Sequence, residues 1–544
     1  MAQGRRPTLA YVTNNSKKKS LFTKYNPPMK IFKRILFIPL FILSGFQILS
    51  AQSKAENVVV LNTESSKTLI SKDIYGQFAE HLGHCIYDGI WVGENSAIPN
   101  THGYRNDIIV ALKNMNIPVL RWPGGCFADT YHWKDGIGPR DKRASIVNVN
   151  WGGVTEDNSF GTHEFLNLCE ILGCDAYISG NVGSGTVQEM AEWAEYMTSN
   201  SESPMTKLRK QNGREKPWKV KYFGIGNEAW GCGGNMTPEY YSNLCRQYGT
   251  YLNYAGHGIL KVASGASDND VNWTDVVMKN VGTNVQGVSL HYYTLPGNWE
   301  KKGSATDFTQ GAWFTVLKKT LLMDTLIDRH LAVMDKYDTK KQVGLMVDEW
   351  GTWYDVEPGT NPGFLFQQNT LRDAMVAAVN LNIFNNHADR VKMANIAQVV
   401  NVLQSMILTR GNQLVLTPTY YVFKMFKVHQ GATLIPVSVT CRNYEFNNET
   451  IPSINASASK DSNGKIHITL ANLDPNAENT VTIDPGSMKV SSISGEILTS
   501  EAINSFNDFG TPEKVKLQKF TQFKLKDNVL QVKMPSKSIV ELEI

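Results

Sequence analysis

Two short stretches carry groups able to do acid–base chemistry. "GNEAW" sets Glu228 directly after Asn227 at the end of the apolar run "VKYFGI", and "DEW" sets Glu349 behind Asp348 at the end of "VGLMV". A carboxylate carried out of a buried strand must be paired or used. Two of them facing one pocket suit cleavage of a glycosidic bond. One, held neutral by its surroundings, protonates the leaving oxygen, while the other attacks the anomeric carbon or activates water. Each is followed closely by a tryptophan, whose ring can desolvate a carboxyl and raise its pKa. A single strand-end Glu is more often a salt-bridge partner than a catalyst. Likewise Asp348 can be a partner for Arg121, His291 a satisfied core imidazole, and Tyr292 and Tyr293 packing. The balance shifts because further polar residues also end apolar runs: Glu80 and His81, Arg121 with "WPGGC", Asn181, His291 to Tyr293, and Gln398.

Eight short apolar or β-branched runs must position these residues. They are "DIYGQF" (73–78), "VLRWPGG" (119–125), "DAYISGNV" (175–182), "VKYFGIGNE" (220–228), "LKVASGAS" (260–267), "VQGVSLHYY" (285–293), "VGLMVDEWG" (343–351) and "MANIAQVVNV" (393–402). Segments with helical periodicity separate several of them, such as 164–173, 239–256 and 321–337. Near-continuous apolar strands alternating with helices signal a parallel sheet covered by helices. Eight units predict an α/β fold, a (β/α)₈ TIM barrel, whose active site lies at the C-terminal strand ends. After about residue 430 the pattern becomes short alternating strands with Asn, Gly and Pro between them, which predicts a C-terminal antiparallel β-sandwich. The expected division is an N-terminal extension and leader (1–51), a strand segment joining the sandwich (52–72), the barrel (73–425) and the sandwich (426–544).

The formal charge of +4 comes from the start of the chain. Residues 1–51 hold nine Lys or Arg and no acid, and without them 45 basic face 50 acidic residues. That is no footprint for nucleic acid. Lys30, Lys33 and Arg34 precede the apolar run Ile35–Leu49 and then "SAQS", the pattern of a secretory signal. Fifteen residues with Pro39 and Gln47 inside are short for a membrane span. The reading is export to the periplasm or medium with no stable membrane anchor, cleavage after Ala51, and an upstream extension over residues 1–28. Seven cysteines show no CxxC and no zinc-type spacing, so they read as structural thiols.

"GIGNEA" (224–229) also fits the dinucleotide fingerprint G-x-G-x-x-A. That reading needs a helix to start there. "WGCGGNMTP" follows instead, and a helix start near Thr237 is expected. HExxH, GxxxxGK[ST] and GxSxG are absent from the sequence.

Five ordered motifs, "RWPGGCFADTYHWKDGIGPR" (121–140), "YFGIGNEAWGCGG" (222–234), "SLHYY" (289–293), "MVDEWGTWYD" (346–355) and "MANIAQVVNVLQSMI" (393–407), resemble the α-L-arabinofuranosidases of glycoside hydrolase family 51. The resemblance spans roughly residues 57–544. It implies a retaining, exo-acting hydrolase of terminal α-L-arabinofuranosyl residues in plant polysaccharides or oligosaccharides, with no cofactor and no metal. Glu228 then corresponds to the acid/base and Glu349 to the nucleophile. Glu80, Cys126, Asn227, Tyr293 (or Tyr292) and Gln398 correspond to sugar contacts. Many members carry Asn where this chain has Cys126, and a thiol is a weaker hydrogen-bond partner. Relatives imply a homo-oligomer. The other readings are a related barrel glycosidase with xylosidase or endoglucanase specificity, shaped by the loops 294–313 and 352–364, and a non-catalytic carbohydrate-binding protein.

Overall fold

The computed structural model describes residues 57–63, 67–256 and 258–544. The expected leader and extension lie outside the described residues.

Eight strands close into one barrel: Gly76–Phe78, Val119–Trp122, Asp175–Gly180, Val220–Ile225, Leu260–Ser267, Gly287–Thr294, Gly344–Thr352 and Val391–Ala397. They neighbour one another in chain order, the last pairing with the first, and every pairing is parallel. The strands are buried almost throughout, because helices cover them outside and side chains fill them inside. Val119, Tyr177, Tyr222, Val262, Met346 and Met393 form a packed layer within the barrel. Each precedes the polar residues at or beyond the C-terminal end of its own strand, so the layer floors the mouth.

The first strand is shorter than expected. Lys72–Tyr75 forms a 3₁₀ turn whose start is capped by Ser71, which accepts the Asp73 N–H, and only Gly76–Phe78 joins the barrel. Gly76 is needed there, since a Cβ would lie 2.4 Å from Asn395 Nδ2 and 2.6 Å from Val119 Cγ1. The helix after the fourth strand is Pro238–Ala255, with the Thr237 hydroxyl accepting the Tyr240 N–H. Residues 226–236 are therefore a loop, and no helix N-terminus follows "GIGNEA" to receive a pyrophosphate.

The sandwich has a five-stranded and a six-stranded sheet. Val529–Met534 buries Leu530, Val532 and Met534 and turns Gln531 and Lys533 outward, the period of two that one-sided burial demands. It is joined to Phe523–Lys526 by Asp527 and Asn528, both at positive φ, residue types that tolerate a tight hairpin turn. Asn57–Leu61 lies in the same sheet, antiparallel to Val437–Thr440 and parallel to Asn479–Asp484. The barrel is thus inserted between the first strand of the sandwich and the rest. Among the described residues no helix is long and apolar enough to cross a membrane.

Candidate active site

The loop that carries Glu228 is built by its backbone. Glu228 itself sits at φ 40°, turning the chain sharply as it leaves the barrel. Its carbonyl accepts the N–H groups of Gly231 at 2.7 Å and Gly233 at 3.1 Å. Gly233 has no room for a side chain, because a Cβ would lie 1.8 Å from the Asn227 carbonyl oxygen. Buried Asp129 fastens the same loop, accepting the N–H groups of Val182 and Gly183 at 2.8 Å and of Asn227 at 3.0 Å. Burial pushes the Asp129 carboxyl up to about 7, against the pull of those donors and of Arg121.

Arg121 organises the opposite side. Its guanidinium donates to Ser179 Oγ at 3.1 Å, to the Asp348 carbonyl at 2.8 Å, to Glu349 Oε2 at 3.0 Å and to Asn227 Oδ1. An arginine can only donate, so the Asn227 oxygen must face it and the Asn227 amide N–H₂ faces away. Glu349 Oε1 accepts from the Tyr293 hydroxyl at 2.8 Å. Both oxygens of Glu349 are therefore fixed, which sets the plane of the carboxylate.

His291 lies between the acids. Its Nδ1 is 2.9 Å from Glu228 Oε1 and 3.6 Å from Glu349 Oε2, and its Nε2 is 3.3 Å from Asp348 Oδ1. With a carboxylate at each ring nitrogen, only the imidazolium presents a proton both ways. Burial lowers its pKa, but the charges of Glu349, Asp348 and Glu228 outweigh that and hold it at about 10. Burial would raise Asp348, yet Arg121, His291 and the Tyr177 hydroxyl, 2.6 Å away, keep it below the usual range. Glu228 is raised, by burial first and by the Glu349 charge, against the pull of His291 and Arg121. One carboxylate oxygen of Glu228, one of Glu349 and a His291 nitrogen all lie within 4.8 Å of one another. As the imidazolium, His291 has no lone pair to offer a metal ion.

Glu80 and Gln398 form the far wall. Glu80 accepts four hydrogen bonds, from the Gly125 and Phe127 N–H groups, Trp151 Nε1 and Gln398 Nε2. Burial and the Glu349 charge nonetheless push it up to about 7. Gln398 Oε1 is buried without a partner. Together with Glu228, Glu349, Cys126 and Tyr293, these residues line a cavity of about 220 Å³, whose rim includes Trp230, Ser267, Asp268, Trp299 and Trp353. The Trp299 and Trp353 rings meet edge to face at 5.4 Å. Larger clefts lie elsewhere, but in the one lined by Arg140, Arg143 and Arg214 the acids Glu94, Glu164 and Glu170 are each paired to those arginines.

The structure thus gathers Glu80, Cys126, Asn227, Glu228, Tyr293, Glu349 and Gln398 at one mouth. Tyr292 points elsewhere, donating its hydroxyl to the Lys319 carbonyl. Asn181 braces a loop through Ser184, Gly185 and the Tyr131 carbonyl. His81 accepts from Trp122 Nε1 within an aromatic cluster. Cys126 is not a thiol: it is disulfide-bonded to Cys232. Barrel closure brings together two loops 106 residues apart, a pairing that spacing does not reveal. The other five cysteines are free. Asp129 and Trp151 were also missed, since they sit on irregular loops where no periodicity marks them.

A closed parallel barrel carrying two opposed carboxylates at the C-terminal ends of its fourth and seventh strands defines a glycoside hydrolase. Models described as the α-L-arabinofuranosidase 1 domain and the α-L-arabinofuranosidase C-terminal domain match residues 111–307 and 348–538. A Bacteroides ovatus protein named an intracellular exo-α-L-arabinofuranosidase is 55% identical over 514 residues, covering 94% of this chain and all of the relative. The crystal structure of the family 51 arabinofuranosidase from Xanthomonas axonopodis pv. citri has 49% identity and a TM-score of 0.89, with 90% of this chain and all of that one covered. That of a Thermotoga maritima α-L-arabinofuranosidase in complex with arabinose has 29% identity and a TM-score of 0.78, with the same coverage. The chain belongs to the α-L-arabinofuranosidases of glycoside hydrolase family 51.

The same comparison overturns the expectation of export, because the Bacteroides relative is named intracellular. A basic segment followed by a largely apolar run of fifteen residues is a compositional pattern and not by itself an address; here it carried Pro39 and Gln47 inside and Leu49 near the supposed cleavage point.

Proposed function

We propose that this exo-acting α-L-arabinofuranosidase works by double displacement, with Glu349 as nucleophile and Glu228 as acid and then base. The observation that carries the reading is the approach of the two carboxylates within 4.8 Å across one small cavity, the close spacing that retention requires. Glu349, oriented by Arg121 and Tyr293, attacks the anomeric carbon. The glycosidic C–O bond breaks as Glu228 gives its proton to the leaving oxygen. In the second step ionised Glu228 takes a proton from water, the water attacks the anomeric carbon, and the ester to Glu349 breaks. General acid–base help of this kind contributes about 10²–10⁴-fold.

The cavity supports removal of one terminal sugar. At about 220 Å³ it is smaller than the roughly 300–1,000 Å³ clefts that hold drug-sized ligands. The Asn227 amide, Glu80 and the unpaired Gln398 Oε1 supply hydrogen-bonding groups for the hydroxyls of an arabinofuranosyl ring. Arabinose-bearing plant polysaccharides or their oligosaccharides are the substrate class, with the remaining sugar leaving past the Trp299 and Trp353 rim.

Glu349→Ala abolishes turnover of aryl α-L-arabinofuranosides, and azide restores it weakly as the β-configured arabinosyl azide. NMR of the first product reads the α anomer in the wild type. A β first product, or wild-type rates in the variant, refutes the assignment.

A further inference from the structure

The two oxygens of Glu228 have different surroundings. Oε1 faces the His291 N–H at 2.9 Å. Oε2 faces the disulfide, with Cys232 Sγ at 3.5 Å and Cys126 Sγ at 4.0 Å. Bonded to each other, those sulfurs have no proton to donate, so neither gives Oε2 a hydrogen bond, and the Asn227 amide N–H₂ beside them points at Cys232 Sγ, 4.0 Å away. That favours a proton on Oε2, the state an acid catalyst needs. The disulfide also ties the Glu228 loop to the loop after the second strand, four residues from a carboxylate already held at positive φ. Cys126 is half-buried and lines the sugar cavity, whereas Cys232 is exposed.

We propose that the Cys126–Cys232 bond is a modification site for small thiols and dithiols, and that opening it disarms Glu228 as proton donor. The proposal rests on the reading of Glu228 as acid/base. The chemistry is ordinary exchange. A dithiol thiolate attacks exposed Cys232 Sγ and releases Cys126 as a thiolate, which takes a proton from water. The second thiol of the reagent then displaces Cys232, which is protonated in turn, and the reagent leaves as a cyclic disulfide. Two electrons pass to the protein.

Opening the bond acts on Glu228 in two ways. Each sulfur lies 3.5–4.0 Å from Oε2, so each new S–H places a donor beside it, and hydrogen bonding to a carboxylate favours its ionised form. The tether between the two loops is lost as well. The charged groups facing Glu228 from the other strands are Arg121, His291 and Glu349. None of these is itself open to thiol–disulfide exchange, so the sulfurs alone couple this carboxylate to thiol chemistry.

The test uses the intact enzyme with and without dithiothreitol. Thiols titrated after quenching and denaturation should rise from five to seven, since five cysteines are already free. kcat/KM for methyl α-L-arabinofuranoside, a poor leaving group, should fall at least tenfold. The value for the 2,4-dinitrophenyl glycoside, which needs no proton, should change less than threefold. Reoxidation with oxidised glutathione should restore both. The double variant Cys126→Ser, Cys232→Ser should show the reduced ratio with or without reductant. The proposal is overturned if the native enzyme still titrates five thiols, if seven thiols appear with the ratio of the two substrates unchanged, or if the double variant keeps its sensitivity to dithiothreitol. Glu228→Ala tests the underlying reading separately: it must lose the methyl glycoside far more than the dinitrophenyl one whatever the cysteines do.

Discussion

Replacing His291 by Asn removes one positive charge from between three carboxylates. Nδ1 lies 2.9 Å from Glu228 Oε1 and 3.6 Å from Glu349 Oε2, while Nε2 faces Asp348. A charge-assisted hydrogen bond contributes about 1.5–3 kcal/mol, and about 1.4 kcal/mol is a factor of ten, so Glu228, which accepts that bond, should hold its proton about 10–100-fold more tightly. The sign is fixed by the charge: losing a cation disfavours the ionised form, so the pKa of Glu228 rises. The alkaline limb of kcat/KM, set by the proton on Glu228, should therefore move upward. That limb is a property of the coupled carboxylate pair, and what is expected is a bell extended toward alkali. On the alkaline side the variant should keep about 10–100-fold more of its optimum rate than the wild type keeps of its own. The assay is the pH dependence of kcat/KM on 4-nitrophenyl α-L-arabinofuranoside, with thermal melts at each pH to separate catalysis from unfolding. An unmoved alkaline limb, or one displaced toward acid, would mean that His291 is neutral in the resting enzyme, and the electrostatic account of the site would fail.

Other outcomes follow from single contacts. Arg121→Met strands Glu349 and Asn227 in a buried site and should cost about 3–5 kcal/mol in urea unfolding, with kcat/KM reduced more than a hundredfold. Trp151→Phe removes one donor to Glu80 and should raise KM about 5–10-fold, the worth of roughly 1–1.5 kcal/mol, with kcat changed less. His429 is buried between the Ser459 and Thr469 hydroxyls, and burial lowers its pKa to about 3. The unfolded chain, protonating at about 6.5, binds the proton first as pH falls. Stability present above that value is lost downward to about pH 3, by up to roughly 1.4 kcal/mol per pH unit. His429→Gln should flatten the fall in Tm over that window; an equally steep fall refutes it.

What the sequence reveals of this site depends on where each residue sits. Glu228, Glu349, Tyr293, Glu80 and Gln398 lie at or just beyond strand ends, where a polar residue interrupts an apolar run and declares itself. The same logic separates the barrel from the sandwich, since helix-spaced connections give way to the period-two pattern seen in Val529–Met534. Asn181 and His81 obey that rule too, yet loop bracing and an aromatic cluster absorb them. Trp151, Asp129 and Cys232 come from irregular loops whose closeness exists only after closure. The 3₁₀ turn at Lys72–Tyr75 was masked because its burial resembles that of a strand.

The placement of Asn57–Leu61 has a consequence for biosynthesis. Its partner Val437–Thr440 emerges roughly 380 residues later, which at about 5–20 residues per second is roughly 20–75 s of translation. For that interval a β-strand with Val59 and Leu61 meant for the interior waits at the ribosome with neither neighbour made. The barrel can assemble during the wait, but the sandwich cannot close until the final hundred residues leave the tunnel. Nonsense truncations there should yield a protein with a competent barrel and an unsatisfied strand, prone to be captured by chaperones or to pair with its own kind.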